Sequence, residues 1–140
     1  MKRKLLLILW LSATIFPFNW LRQESSVLRK HFDALFSPEW IHIIGHLMIF
    51  CTLAILFLRI YRRPLTMRSV IGVLGLVLIV GGLQELLQLP VKGRAFGWPE
   101  IFDLGVDLLG GILGVFFFLA YKLRPYSTYP RQRQAKNVTS

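Results

Sequence analysis

The chain alternates between long apolar runs and short polar segments. Its four apolar runs are separated by stretches rich in arginine, lysine, proline or glycine, and they cover residues 5–21, 40–58, 69–89 and 100–121. Each run is close to the roughly 20 residues with which a helix, rising about 1.5 Å per residue, crosses the roughly 30 Å hydrocarbon layer of a bilayer. The pattern therefore predicts an all-α, polytopic membrane protein with a bundle of four transmembrane helices.

The segments around these runs predict the domain organisation. We expect a first transmembrane helix over residues 1–21, an outer linker over 22–39, a three-helix core over 40–121 and a disordered basic tail over 122–140. Within the linker, apolar residues recur at helical spacing and predict a short amphipathic helix on the bilayer surface: Leu28, Phe32, Leu35 and Phe36. A signal peptide is the competing interpretation of the first run, but that run is long for one and no small-residue cleavage site follows it.

Composition agrees with a membrane protein. Hydrophobic residues make up 54 % of the chain and the mean hydropathy is +0.54, which is too apolar for an ordinary soluble domain. The net charge of +10 could indicate a nucleic-acid-binding protein, but the basic residues flank the apolar runs instead of forming one basic face. A single cysteine, Cys51, excludes an intrachain disulfide. No motif has the spacing of a metal or cofactor site, so neither is predicted.

The distribution of charge predicts the orientation. If the N-terminus lies in the cytoplasm, 12 of the 17 lysines and arginines fall in cytoplasmic segments, and none of the seven acidic residues does. The positive-inside rule therefore favours four spans with both termini in the cytoplasm.

Polar residues inside the predicted spans lie at one depth, near the outer surface. They come from three different spans, with Arg94 in the loop above them, and they are His42, His46, Gln84, Glu85, Gln88, Asp103 and Asp107. Because charged side chains within a span are costly, they indicate a functional site. Interhelical hydrogen bonding is the competing interpretation, above all for the two glutamines.

Helical spacing predicts which faces these residues occupy. His42 and His46 are four residues apart and share a face, and Asp103 and Asp107 share a stripe with Gly110 and Gly114. The GxxxG spacing of those glycines lets another helix approach closely, so the stripe should face the bundle interior. We expect Gly75, Gly82 and Glu85 to face inwards by the same spacing argument on the third span.

These placements predict a polar pocket that opens to the outside. Its candidate residues are His42, His46, Glu85, Gln88, Arg94, Asp103 and Asp107, whereas Glu100 fits an ordinary first-turn acid. Arg94 could hold a phosphate, and crowded carboxylates such as Glu85 and Asp107 could share a proton. No residue can be assigned a catalytic role from the spacing alone.

This set of residues resembles the VanZ-like membrane proteins over residues 40–120. The family pattern is an E-x-x-Q helix, a loop arginine, an aspartate and trailing glycines, with a histidine early in the preceding span. The matching residues here are Glu85-Leu86-Leu87-Gln88, Arg94, Asp103, Gly110, Gly114 and His46. Two positions depart from the pattern, because Asp107 replaces the usual asparagine and His42-Ile43 replaces the usual Asp-Lys pair.

The resemblance implies a small multi-span protein of the bacterial cell envelope with a link to glycopeptide resistance, particularly to teicoplanin. We therefore expect it to recognise or modify an amphiphile at the outer leaflet, such as a membrane lipid or a lipid-linked envelope precursor. Two alternatives stay open. One is a structural scaffold whose polar residues hold the helices together, and the other is an integral-membrane enzyme or proton-coupled carrier.

Overall fold

The described part of the chain is a bundle of helices. A computed structural model describes residues 2–16, 39–61 and 65–123, and within these ranges the chain forms four helices: α1 (Lys2–Ile15), α2 (Glu39–Tyr61), α3 (Met67–Lys92) and α4 (Trp98–Leu123). The all-α prediction is confirmed for these residues. The amphipathic helix predicted in the linker and the tail after Leu123 lie outside the described residues.

Three of the helices are long and apolar enough to cross a membrane. The candidate spans are Glu39–Ile60, Met67–Pro90 and Trp98–Leu123, whereas α1 has 14 residues. Large apolar side chains such as Ile79 and Phe116 lie exposed on the outside of the bundle, where only lipid would shield them from water. The structure thus supports a membrane protein with three spans, and a fourth span that would continue α1 to Leu21 remains a prediction.

The third helix ends later than the sequence predicts. The third apolar run ends at residue 89, but α3 includes Pro90 and continues to Lys92. A proline removes only one backbone donor, and two more residues can follow it in helical geometry. Gly93 then ends the helix in a left-handed conformation (φ 62°), and its N–H donates to the carbonyl of Leu89 at 3.0 Å.

Helices α2 and α4 run parallel and make the most extensive contact of the bundle. A Cβ atom added to Gly110 would lie 2.7 Å from the Leu47 carbonyl oxygen, and one added to Gly114 would lie 2.5 Å from the Cys51 carbonyl oxygen. The two glycines therefore let the backbones touch, as their GxxxG spacing predicts.

Helix α3 packs antiparallel to α4, but through a different glycine from those predicted. A Cβ on Gly81 would collide with the Asp107 carboxylate, whereas Gly75 and Gly82 have open space within 4 Å. The prediction that Gly75 and Gly82 face inwards is therefore wrong, whereas Glu85 does face inwards. Gly81 and Gly82 are adjacent, so they differ by about 100° around the axis of α3. Which of them faces α4 depends on the rotation of α3 about its own axis, which only the packing fixes.

Helix α1 lies against α2 and α3. The indole Nε1 of Trp10 donates to the carbonyl oxygen of Ile49 at 3.2 Å. The apolar side chains of α1 that pack against the bundle are Leu7, Trp10, Leu11 and Ile15. They cover a core cluster formed by Phe50, Leu53, Val77 and Val80. A second core cluster, further along the bundle, consists of Ala54, Leu58, Val73 and Val115.

We predict that Gly114→Ala destabilises the bundle by about 1 to 3 kcal/mol, because the added methyl group forces α4 away from α2. Thermal unfolding in one detergent measures the effect. Gly105→Ala on the same helix is the matched control, since no described atom lies within 4 Å of the added carbon. Equal unfolding temperatures for the two variants would contradict the close packing.

Candidate functional site

Charged side chains from three helices and one loop meet at one end of the bundle. We call this set the polar cluster, and its members are His42, His46, Glu85, Lys92, Arg94, Glu100, Asp103 and Asp107. The first turns of α2 and α4, the last turns of α3 and the loop over residues 93–97 supply them. Of these, Glu85, Glu100 and Asp107 are fully buried.

One half of the polar cluster pairs imidazoles with aspartates. In this histidine–aspartate group, Nδ1 of His46 lies 2.6 Å from Oδ1 of Asp107, and both side chains are buried. Nε2 of His42 lies 3.4 Å from Oδ2 of Asp103, and the His42 side chain is 49 % exposed. The His42 and His46 ring centroids are 4.4 Å apart. The buried pair is therefore close and shielded, and the outer pair is longer and partly exposed.

The parallel packing of α2 and α4 explains both pairs. Each histidine is separated from its aspartate by 61 residues, so the same register produces both contacts. The aspartates lie on the stripe that Gly110 and Gly114 continue, one and two turns further along α4. The contact between the backbones at the glycines thus brings the polar side chains together.

The other half of the polar cluster pairs acids with permanent cations. In this lysine–arginine group, the Lys92 ammonium donates to Glu85 Oε2 at 2.6 Å and to Glu100 Oε1 at 3.3 Å. The Arg94 guanidinium donates to Glu100 Oε1 at 2.7 Å. Burial of a carboxylate is costly unless a partner compensates its charge, and here two cations serve two acids.

A short capped loop holds these cations in place. Gly93 turns the chain at the end of α3, and the N–H of Gly97 donates to Glu100 Oε2 at 2.9 Å. Glu100 is the third residue of α4, so this bond is the reciprocal half of a capping box. The same carboxylate therefore caps α4 and binds both cations, which folds the loop over the helix ends.

Two buried carboxylate oxygens remain without a hydrogen-bond partner among the described residues. They are Oε1 of Glu85 and Oδ2 of Asp107. The Asp107 oxygen lies against Gly81, and Glu85 follows Gly81 by one helical turn on the same face of α3. Both carboxylates therefore lie where α3 contacts α4, at the boundary between the two halves of the polar cluster.

The formal charges of the polar cluster do not balance by themselves. Four carboxylates face two permanent cations, so the cluster is neutral only if both imidazoles are protonated or if carboxyl groups retain protons. Such a set of groups can hold a proton or bind a ligand that brings positive charge and hydrogen-bond donors. Within residues 2–16, 39–61 and 65–123, no group of three His, Cys, Asp or Glu residues has a geometry suited to a metal ion.

Six of the seven residues predicted for the site are members of the polar cluster. The seventh, Gln88, is partly buried on α3, one turn before Lys92. That the polar cluster opens to the outside as a pocket stays a prediction.

Sequence reasoning missed two members of the polar cluster. The sequence pattern does not single out Lys92, and it assigns Glu100 only as a first-turn acid. The capping-box position of Glu100 after Gly97, and the seven-residue spacing of Glu85 and Lys92, are the signals that could have found them. Glu100 does cap the first turn of α4, as predicted, but its buried carboxylate also binds two cations, which the prediction missed.

Comparison with known proteins adds no identification: no family model, curated protein or solved structure matches the chain. The resemblance to VanZ-like proteins therefore stays a prediction.

We predict that His46→Leu destabilises the protein by about 3 kcal/mol, because it leaves the buried Asp107 without its partner. The double variant His46→Leu/Asp107→Leu should recover most of that loss, since it removes both polar groups. His42→Leu, at the half-exposed pair, should cost under about 1 kcal/mol. Unfolding in detergent measures all three. Additive losses in the double variant would show that the short contact contributes nothing.

Proposed function

We propose that the protein is a VanZ-like integral membrane protein of the bacterial cell envelope that binds the polar headgroup of an amphiphile at the outer leaflet. One observation carries the proposal: Glu85 and Asp107, fully buried at one end of three membrane-length helices, keep carboxylate oxygens without a partner among the described residues. Buried polar atoms of this kind are rare, and charged groups inside a span usually mark a functional site.

The surroundings of the polar cluster favour an amphiphile as the ligand. Arg94 is 45 % exposed at the rim, and a guanidinium binds phosphate through parallel hydrogen bonds. Aromatic side chains exposed at the same end are typical of the interface between bilayer and water, namely Trp40, Phe96 and Trp98. A ligand with its headgroup in the polar cluster can thus keep its acyl chain in the lipid.

In this proposal the protein lies in the bacterial cytoplasmic membrane with both termini in the cytoplasm. The basic residues of the segments assigned to the cytoplasm outnumber those of the outer segments, which supports this orientation. The polar cluster then faces the outer leaflet, where lipid-linked envelope precursors and glycopeptides such as teicoplanin are encountered.

A proton-coupled carrier or enzyme is the second candidate, and one observation favours it. The buried contact of 2.6 Å between His46 and Asp107 joins an acid and a base that can pass a proton, as acid–base catalysis and proton relays require. Incubation of purified protein with labelled envelope lipids separates this candidate from binding alone. A covalently changed product favours the enzyme, and stoichiometric retention without turnover favours binding. The third candidate, a scaffold, predicts that every variant in the polar cluster is lost from the membrane.

We predict that Ala95→Cys, in a Cys51→Ala background, reacts with a membrane-impermeant maleimide added to intact cells, because residue 95 lies exposed in the loop beside the polar cluster. Met67→Cys is the matched control, since Met67 is exposed at the opposite end of α3 and should react only after the membrane is permeabilised. Labelling of position 67 in intact cells would reverse the proposed orientation.

We predict that protein purified in mild detergent retains a selected class of amphiphile, which mass spectrometry of the copurified lipids detects as an enrichment over the bulk membrane. Glu85→Gln should reduce that enrichment about tenfold, since it removes a charged hydrogen-bond partner. Glu39→Gln changes an exposed acid at the same end of the bundle and should retain the wild-type pattern. A wild-type lipid composition equal to that of the bulk membrane would refute the proposal.

A further inference from the structure

The polar cluster has an excess of acidic groups. With neutral imidazoles, its four carboxylates outnumber its two permanent cations. The excess lies at Asp103 and Asp107, because Lys92 and Arg94 compensate Glu85 and Glu100. Negative charge buried in a membrane protein is unfavourable until a cation or a proton compensates it.

The protein itself shows how the polar cluster binds an ammonium group. The Lys92 Nζ lies between two buried carboxylates, 2.6 Å from Glu85 Oε2 and 3.3 Å from Glu100 Oε1. An ammonium group on a primary amine has three N–H donors, so it can bridge two acids in this way. The lysine uses only one of the two Glu85 oxygens.

Two further carboxylate oxygens in the polar cluster could accept hydrogen bonds from an ammonium group of the same kind. Glu85 Oε1 and Asp107 Oδ2 are both buried acceptors without a hydrogen-bond partner in the described part of the chain. Gly81 lies against the Asp107 oxygen and has no side chain that could donate a hydrogen bond to it. The partly exposed Lys92 and Arg94 (20 % and 45 %) lie at the aqueous rim, so a headgroup would enter past their flexible side chains.

We propose that the polar cluster is selective for an amphiphile bearing a primary ammonium group, which it holds between Glu85 and Asp107 while Arg94 binds the phosphate of the same headgroup. This inference rests on the proposed function and adds the chemical class of the ligand. A hydroxyl group would satisfy one acceptor but would bring no charge. A quaternary ammonium would bring charge but no N–H donor.

The test compares three phospholipids with identical acyl chains. Delipidated wild-type protein is offered an equimolar mixture of phosphatidylethanolamine, phosphatidylcholine and phosphatidylglycerol, and native mass spectrometry counts the lipids retained. The first has a primary ammonium, the second a quaternary ammonium, and the third only hydroxyl groups. We expect phosphatidylethanolamine to be retained about tenfold over either competitor, the ratio that a charged hydrogen bond supplies.

Isosteric variants connect that selectivity to the two acids. Glu85→Gln and Asp107→Asn keep the size of the side chain and remove its charge, and each should abolish the preference for phosphatidylethanolamine. Glu39→Gln, at an exposed acid of α2, should leave the preference intact. Two probes without phosphate complete the test, a long-chain alkylamine and the alkyl alcohol of the same length. The wild-type protein should retain the amine and not the alcohol.

The outcomes separate this inference from the proposed function. If wild type retains no lipid above the level of the Glu85→Gln variant, the proposed function fails and the inference fails with it. The wild-type protein could instead retain more lipid than the Glu85→Gln variant, but bind phosphatidylglycerol or phosphatidylcholine as tightly as phosphatidylethanolamine. In that outcome headgroup binding stands and the ammonium assignment is wrong. In that case protons on the carboxyl groups account for the unpaired oxygens.

Discussion

Direct contact between the backbones of α2 and α4 positions the rest of the site. Gly110 and Gly114 have no side chains, so α4 lies against the carbonyl oxygens of Leu47 and Cys51. The same stripe, continued towards the start of α4, carries the aspartates that meet the histidines of α2. A slide of one residue, about 1.5 Å along the axis, would separate the Nδ1 and Oδ1 atoms of the buried pair. Apolar packing therefore fixes the geometry of a polar site.

The two halves of the polar cluster compensate buried acids by different means. In the lysine–arginine group, Lys92 and Arg94 contact the two glutamates directly and supply the compensating charge. In the histidine–aspartate group the balance depends on where the protons of the imidazoles reside. Glu85 borders both halves, because one of its oxygens binds Lys92 and because it follows Gly81, which lies against Asp107, by one helical turn. A ligand or proton bound at Glu85 would therefore affect the balance of charge in both halves of the polar cluster.

The depth of the polar residues could be predicted because long apolar helices fix it. Once three runs are assigned as spans, a residue near the end of a run must lie near one surface of the bilayer, whatever its neighbours are. The residues missed, Lys92 and Glu100, lie at the helix ends beside the loop, where a charged residue is unremarkable in a sequence. Their importance comes from the turn at Gly93 and the cap at Gly97, which fold the loop back over the helices.

The sequence by itself determined the helical class, the apolar length of α2, α3 and α4, and the shared face of Asp103, Asp107, Gly110 and Gly114, because hydrophobicity and helical periodicity are local properties. Only the tertiary structure decided that Gly81, and not Gly82, lies against Asp107, and that Lys92 bridges Glu85 and Glu100. The rotation of one helix against another and the path of a short loop depend on side-chain packing between distant segments, which no local pattern specifies.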